Sequence, residues 1–89
     1  MLNTRKLQRI VKGFANHRRI QIMELLENEP DISLSDISRK LKINLKTASE
    51  HTRRLTFSGL ITKRYKARDV IHAVTDLGKD ILTFLRKLE

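Results

Sequence analysis

The sequence predicts a mainly α-helical domain with one small β-hairpin. Apolar residues recur at the three- and four-residue spacing of a helix in five segments, capping residues precede those segments, and two short β-like runs come before the last one. The 89 residues suffice for a single small domain, 1–89, with a marginal core. Apolar residues make up 39% of the chain and charged residues 33%, which is typical of a folded domain rather than a disordered tail.

Two helices are predicted in the N-terminal third of the chain. Asn3 and Thr4 can cap the first helix, and Gly13 falls near its end. Asn16 can cap the second helix, and Pro30 prevents its continuation. The apolar face of the first helix consists of Leu7, Ile10, Val11 and Phe14. The interior of the second contains Ile20, Ile22, Met23, Leu25 and Leu26.

The next segment predicts a helix-turn-helix. Ser33 and Asp36 fit a capping box, in which the hydroxyl and the carboxylate each satisfy a backbone N–H at the start of a short helix. The apolar face of that helix consists of Leu34, Ile37 and Leu41. A tight turn over 42–44 ends at Asn44, which caps a longer helix, 45–58. That helix directs Ala48, Thr52 and Leu55 inward and ends at Gly59.

A hairpin and a last helix complete the prediction. Two β-like runs, 60–66 and 70–75, flank residues 67–69, which are short enough for a hairpin loop, so a hairpin is expected over 60–75. A last helix begins at 75–76. Its apolar residues are Leu77, Ile81, Phe84, Leu85 and Leu88. The order helix, helix, short helix, turn, longer helix, hairpin, helix is that of a winged helix-turn-helix domain.

Positive charge is concentrated in one third of the chain. Ten of the nineteen Lys and Arg residues lie between Arg39 and Arg68, where Glu50 is the only acidic residue. That segment therefore carries a net charge equal to that of the whole chain, +9. Such a concentration predicts a surface for a polyanion, and the phosphate backbone of a nucleic acid is the commonest such partner.

Three segments resemble the ArsR and MarR families of winged-helix regulators. Residues 15–26, in which an Arg precedes the pattern aliphatic-x-Ile-aliphatic-x-Leu-Leu, resemble the second helix of ArsR-type proteins. Residues 44–61 resemble the recognition helix of that group and its exit into the wing, and residues 74–82 are similar to the junction after the wing in MarR-like proteins. The resemblance covers nearly the whole chain. It implies a transcriptional regulator that binds double-stranded DNA.

Three positions depart from these families. Arsenic- and cadmium-sensing members have Cys-x-Cys where residues 33–35 read Ser-Leu-Ser, and hydroxyls are poor ligands for soft metals. Zinc-binding members use acidic and His ligands in their last helices, whereas this last helix has Asp76 and Asp80 but no His. We therefore predict no metal and no cofactor.

Lys42 stands where the family turn usually has Gly, and because a Lys with positive φ costs on the order of 1 kcal/mol, we expect the turn to differ slightly.

Helix 45–58 is predicted to be the recognition helix, lying in the major groove. Its candidate DNA-binding residues are Lys46, Thr47, Ser49, Glu50, Arg53 and Arg54. Arg53 can pair bidentately with guanine and Glu50 can accept from cytosine, while Lys46 and the two hydroxyls suit phosphate or base contacts. The alternative is a solvated helix face with Glu50 paired to Arg53 or Arg54. The turn-helix context and the one-sided charge favour groove contact.

The wing, 60–75, is predicted to contact the DNA backbone or the minor groove. Its candidate DNA-binding residues are Lys63, Arg64, Lys66 and Arg68. Strand alternation would put Arg64, Lys66 and Arg68 on one face. The alternative is an edge strand whose cations only prevent aggregation. Four cations with one adjacent acid, Asp69, exceed what edge protection needs, so we favour nucleic acid.

Other functional classes find little support in the sequence. It has no Cys, no Gly-rich phosphate loop and no close carboxylate pair on one element, so we predict no enzyme. His17, His51 and His72 lack ligand spacing, and core or interface positions are expected, with His51 also considered for DNA contact. No apolar run approaches the ~20 residues of a membrane span, and the N-terminus lacks the apolar core of a signal peptide. A cytoplasmic location is therefore expected.

The two ends of the chain predict a homodimer formed through the first and last helices. Leu82 lies off the main apolar stripe of the last helix and Leu2 precedes the first helix, which suggests apolar faces left for a partner. The resembled families pair through these same helices. We expect Leu82 and the edge formed by 84, 85 and 88 to pack against a partner, and Leu82→Glu to favour monomers without unfolding. The alternative is that both helices only complete one monomer's core.

Two other functions remain open alternatives: a protein-interaction module and an RNA-binding module. Winged helices of the first kind usually lack a basic recognition helix and wing. RNA or single-strand binding normally uses aromatic stacking platforms. The aromatic residues are Phe14, Phe57, Tyr65 and Phe84, and Tyr65 is the candidate in the wing. Double-stranded DNA is therefore the predicted partner, and the sequence identifies no effector.

Overall fold

The computed structural model describes residues 3–89, which form five helices and a three-stranded antiparallel sheet. The elements are α1 (Thr4–Phe14), α2 (His17–Asn28), β1 (Ile32–Ser33), α3 (Leu34–Leu41), α4 (Leu45–Phe57), β2 (Ile61–Lys66), β3 (Asp69–Val74) and α5 (Asp76–Arg86). The predicted fold class is confirmed. The hairpin of β2 and β3 is extended by β1, a strand that the sequence did not indicate.

Each of the described helices begins at a side chain that accepts from its first backbone N–H groups. The capping residues are Asn3, Asn16, Ser33, Asn44 and Thr75. In the predicted capping box, Asp36 N donates to Ser33 Oγ at 3.1 Å, while the Asp36 carboxylate pairs with Arg39 at 2.7 Å. Because a cap of this kind contributes ~1 kcal/mol, the five helix starts are fixed largely by local sequence.

The hydrophobic core is built around α2, which packs against the other four described helices and against β3. Ile22, Met23 and Leu26 on α2 are 0% exposed. The core is completed from the other elements by Phe14, Ile37, Ala48, Leu55, Leu60, Ile61 and Leu82. Each large apolar side chain buried in this way contributes about 1.5–3 kcal/mol, so the three α2 residues hold the helix-turn-helix to the rest of the domain.

Leu82 belongs to this core and not to a partner surface, so our prediction for it is wrong. Its side chain is 2% exposed. The reason lies one turn earlier, at Gly78, where a Cβ atom would collide with the backbone carbonyl oxygen of Leu60. Only glycine permits α5 to approach so closely, and because residues i and i+4 share a helix face, Leu82 follows Gly78 inward. Leu2, which we also assigned to that surface, lies outside the described residues.

The sheet has the strand order β1-β3-β2. β2 and β3 pair from Ile61 with Val74 to Lys66 with Asp69, and β1 pairs Ile32 with His72. The hairpin loop is therefore the two residues 67 and 68, one fewer than we predicted. Ala67 has a φ of 55°, which a two-residue hairpin loop requires and which usually favours Gly or Asn.

The turn between α3 and α4 keeps a left-handed residue although it lacks glycine. Lys42 has φ 55° and ψ 44°, and its N–H donates to the carbonyls of Arg39 and Ser38. Ser38 Oγ also donates to Ile43 O at 2.6 Å. We expected the turn to depart from this geometry because of Lys42. That expectation is wrong: the hydrogen bonds that close the turn hold the lysine in a strained conformation.

Candidate nucleic-acid interface

Helix α4 presents one buried face and one charged face. Ala48, Thr52 and Leu55 are buried, as predicted, and Thr52 Oγ1 donates to Ser49 O at 3.0 Å. Of the predicted DNA-binding residues on this helix, Thr47 is half-buried. The others, Lys46, Ser49, Glu50, Arg53 and Arg54, are exposed. α4 can therefore present its polar side chains to a groove while α2 and α3 support it from behind.

The wing has two chemically different faces. Lys63 lies opposite His72 on β3 and shares its face with Tyr65, whereas Arg64 and Lys66 alternate to the other face. The Lys63 Nζ lies 5.6 Å from the centroid of the Tyr65 ring, and that ring is 76% exposed. Two of the three residues that we placed together therefore share a face. The third, Arg68, lies in the hairpin loop.

Acidic residues neutralise part of the basic segment. Arg64 pairs with Asp31 at 2.7 Å, Arg39 with Asp36 at 2.7 Å and Lys40 with Glu29 at 2.7 Å. Within residues 3–89 the remaining cations of this segment make no ion pair: Lys42, Lys46, Arg53, Arg54, Lys63, Lys66 and Arg68. Nor does any ion pair in this range join Glu50 to Arg53 or Arg54, which was the alternative that we considered. The positive charge of α4 and of the wing tip is thus left for a partner.

A cleft of ≈ 390 Å³ separates α4 from the wing. Its walls include Ser49 and Arg53 from α4, Lys63 from β2 and His72 from β3. His72 is 3% exposed, and its Nδ1 atom has no hydrogen-bond partner in the described structure. Burial, and secondly the charge of Lys63, lowers the pKa of His72 below its usual value of 6.5. Positive groups therefore line the mouth of the cleft, while burial disfavours the charged form of the histidine in its wall.

A second cleft, of ≈ 440 Å³, lies between α1 and α4. Its lining residues are Arg9, Lys12, Gly13, Arg19, Arg53, Arg54, Phe57 and Ser58. Phe57 is 73% exposed, and the guanidinium of Arg9 lies 5.3 Å from the centroid of its ring. Our sequence reasoning missed Arg9, Arg19 and Phe57 as site residues. The helical period could have found Phe57, because it follows Arg53 by four residues on the outward face of α4.

The other histidines do not form a site. His17 is exposed, and His51 is half-buried on α4. Burial lowers the pKa of His51, and the charges of Arg19 and Arg54 act in the same direction. Within residues 3–89, no three His, Asp or Glu side chains lie close enough to hold a metal ion. In the same range no helix has both the length and the apolar character needed to cross a membrane.

A family match and a sequence relative both place this chain among winged helix-turn-helix regulators. The family of winged helix-turn-helix DNA-binding domains matches residues 16–62, from the cap of α2 into β2. The transcriptional activator HlyU of Vibrio cholerae is 32% identical over 88 residues, which cover 97% of this chain and 80% of HlyU. The match to HlyU thus extends beyond the helix-turn-helix to both terminal helices.

Solved structures share the whole fold. HlyU from Vibrio cholerae superposes with a TM-score of 0.83 at 28% identity, covering 97% of this chain and 94% of that one. The solution structure of a homodimeric winged helix-turn-helix domain from Mycobacterium bovis, a possible ArsR-family transcriptional regulator, superposes with a TM-score of 0.88. It is 23% identical and covers 96% of this chain and 79% of that one, so the likeness is one of fold.

Proposed function

Because this chain belongs to the family of winged helix-turn-helix DNA-binding domains, we propose that α4 enters the major groove while the β2–β3 wing contacts the backbone or minor groove. The chain is a DNA-binding regulator of transcription. In the proposed mode it acts sterically, since an occupied operator blocks or redirects polymerase. We further propose that it acts in the cytoplasm, and we assign it no catalytic role.

The observation that carries this proposal is the exposed positive charge on α4 and the wing. Lys46, Arg53, Arg54, Lys63, Lys66 and Arg68 are exposed and make no ion pair within residues 3–89. Like charges held together without counter-ions repel one another, and a phosphate backbone relieves that repulsion. The cleft between α4 and the wing would accommodate the backbone that separates the two grooves.

We assign different roles to the side chains of this surface. Arg53 and Glu50 are proposed to read base edges, because both project outward from α4 and carry the donor and acceptor groups for guanine and cytosine. Lys46, Thr47, Ser49 and Arg54 are proposed to position the helix on the phosphates or bases. In the wing, Lys63, Lys66 and Arg68 are proposed to bind phosphates. Arg64 contributes less, because Asp31 already pairs with it.

Selection of bound sequences from a random duplex library tests this mode of binding. Arg53→Ala should relax the preference at one position and cost ~1–3 kcal/mol on the best site. Lys66→Ala should instead weaken binding to all duplexes alike, because a phosphate contact carries no sequence information. Lys79→Ala, which removes an exposed charge from α5, serves as the control. An unchanged base preference in Arg53→Ala would show that α4 does not read the groove.

We further propose that the regulator is an isologous homodimer formed through α1 and α5. Leu7 and Val11 on α1 are 46% and 51% exposed, and Phe84 and Leu88 at the end of the chain are 53% and 67% exposed. Exposed apolar side chains on the two terminal helices and in the turn after α5 are typical of a subunit interface. The Mycobacterium bovis domain of the same fold is a homodimer. Two recognition helices one DNA turn apart, about 34 Å, would select an inverted repeat.

Sedimentation of the intact chain tests the dimer. Val11→Glu should shift the protein to monomers and lower operator affinity, because it places a charge in an apolar interface while leaving the monomer core untouched. Ser35→Glu adds the same charge at an exposed position of α3 and should change neither property. A wild-type chain that remains monomeric at tens of micromolar would contradict the proposal.

The alternative functions make different predictions. An RNA or single-strand binder would use Tyr65, whose exposed ring lies beside Lys63, as a stacking platform. Single strands would then compete with duplex at equal concentration, and Tyr65→Ala would weaken binding. A protein-interaction module would bind neither form of nucleic acid. We favour duplex DNA because the exposed cations lie on both the helix and the wing, which together span two grooves.

A further inference from the structure

We propose that the cleft between α1 and α4 binds a small organic phosphate, and that its occupancy lowers the affinity of the regulator for DNA. The site itself is independent of the proposed function, whereas the effect on DNA rests on it. None of the residues proposed to bind DNA lies on α1. This cleft therefore extends the basic surface from α4 towards α1, away from the wing.

The cleft collects positive charge without any acidic residue. Five of its lining residues are cationic, namely Arg9, Lys12, Arg19, Arg53 and Arg54, and no Asp or Glu lines it. None of the four ion pairs within residues 3–89 involves one of these five residues. Charges converging on a concave surface focus the field there, so an anion is the complementary ligand. Burial, and secondly the positive charge of Arg54, lowers the pKa of Arg19.

Arg19 leaves hydrogen-bonding capacity unused at this site. Its Nη1 donates to Lys12 O at 3.3 Å, while its Nε is buried and has no hydrogen-bond partner in the described structure. A buried donor without a partner is destabilising, and more so when it is charged. An oxyanion in the cleft would draw the guanidinium towards itself and satisfy that donor with a charge-assisted bond, as phosphates do in bidentate pairs with arginine.

The apolar part of the cleft indicates an organic ligand instead of inorganic phosphate. The volume of ≈ 440 Å³ lies within the range of small-molecule sites, about 300–1,000 Å³, and exceeds what one phosphate needs. Phe57 supplies an exposed ring beside the cations, and Arg9 already lies over that ring. A phosphate ester with a flat or apolar group would match both parts of this surface.

The position of the cleft explains why its ligand would regulate DNA binding. Arg53 lines both this cleft and the one between α4 and the wing. Arg54, also on the proposed DNA-binding surface, lines the α1 side. A ligand that holds Arg53 and Arg54 on the α1 side withdraws them from DNA, and by linkage DNA weakens the binding of the ligand by the same factor.

Titration of the DNA-free protein with phenyl phosphate, followed through the Arg19 Nε–H resonance in NMR spectra, tests the site alone. We expect saturable shifts, with binding at least tenfold weaker in Arg9→Gln, which keeps the Arg19 resonance. Arg5→Gln, an exposed arginine on the same helix outside the cleft, should bind as the wild type does. Shifts reproduced by sodium chloride at equal ionic strength, or equal weakening in Arg5→Gln, would overturn the site.

A competition assay at constant ionic strength tests the regulatory effect. Phenyl phosphate should lower the duplex affinity of the wild type and leave that of Arg9→Gln unaffected. Inorganic phosphate should bind more weakly, and Phe57→Ala should remove that difference. If duplex alone shifts the Arg19 resonance and Arg9→Gln lowers duplex affinity without phenyl phosphate, the cleft holds the DNA backbone and the free-ligand proposal is overturned. If the wild type binds no duplex, the proposed function fails, while the titration still decides whether the phosphate site exists.

Discussion

The crossing of α1 over the end of α4 makes Gly13→Ala a sharp test of the packing. A Cβ atom at position 13 would lie 2.5 Å from Ser58 Cβ and nearer still to Ser58 Oγ. Ser58 is buried, and its single hydroxyl hydrogen is shared between Arg54 O, at 3.0 Å from Oγ, and Arg9 O, at 3.4 Å. The serine therefore cannot turn away from the new methyl group without losing those hydrogen bonds.

Two effects of opposite sign determine the magnitude of this change. Alanine is better than glycine in a helix interior by about 1 kcal/mol, while overpacking a filled site costs about 1–3 kcal/mol. Because the contact falls well below van der Waals distance and Ser58 is fixed, the overpacking cost should lie near the upper end of its range and exceed the gain in helix propensity. We expect Gly13→Ala to lower the free energy of unfolding by about 1–2 kcal/mol, and Tm by about 4–8 °C for each kcal/mol.

Urea unfolding followed by circular dichroism measures this effect, and a double-mutant cycle identifies its cause. Ser58→Gly removes both atoms that obstruct the new Cβ, so Gly13→Ala should be neutral or stabilising in that background. The nearest remaining atom, Leu60 Cδ1, lies at 3.3 Å from the Cβ position and can shift slightly. A rise in wild-type stability on Gly13→Ala, or the same loss in both backgrounds, would refute the proposed close contact.

Three further changes should alter stability in predictable directions. Leu82→Ala should destabilise the domain by about 2–5 kcal/mol in urea unfolding, because the side chain is 2% exposed. A loss below about 1 kcal/mol would contradict the burial of Leu82. Lys42→Gly should stabilise it by about 0.5–1 kcal/mol in the same assay, because it relieves a φ of 55°. The pKa of His72 is lowered in the folded protein, so as the pH falls the unfolded chain takes up this proton at a higher pH than the folded chain does. The free energy of unfolding should therefore fall as the pH drops below ~6.5. His72→Gln should reduce that slope in unfolding measured between pH 7 and pH 5, leaving the contribution of His51, whose pKa is also lowered.

The elements that the sequence predicted are those fixed by local interactions. The helix starts at Asn3, Asn16 and Asn44 depend on bonds between a side chain and a backbone group two or three residues away. The exposed face of α4 follows in the same way from its period and from the small inward residues Ala48 and Thr52. Such features are visible in a short window of sequence, so they could be predicted without knowledge of the tertiary structure.

What the sequence did not reveal depends on residues distant along the chain. Leu82 faces the core because Gly78, one turn earlier, packs closely against Leu60. β1 consists of two residues, too few to show a period. Arg64 meets Asp31 across 33 positions. The cleft between α1 and α4 likewise joins the first helix to the fourth. Hydrophobic periodicity identifies which faces are apolar, but it does not determine which face meets which neighbour.

The salt dependence of duplex binding tests the central claim most directly. If each subunit of a dimer neutralises about four to six phosphates, the plot of log affinity against log salt should have a slope of roughly −7 to −11. Replacing Lys46, Lys63 and Lys66 together by Gln should make that slope shallower by about 5, because it removes from each subunit three cations that are proposed to contact the DNA. A slope near zero, or one unchanged by the three substitutions, would contradict the account that α4 and the wing bind the DNA backbone.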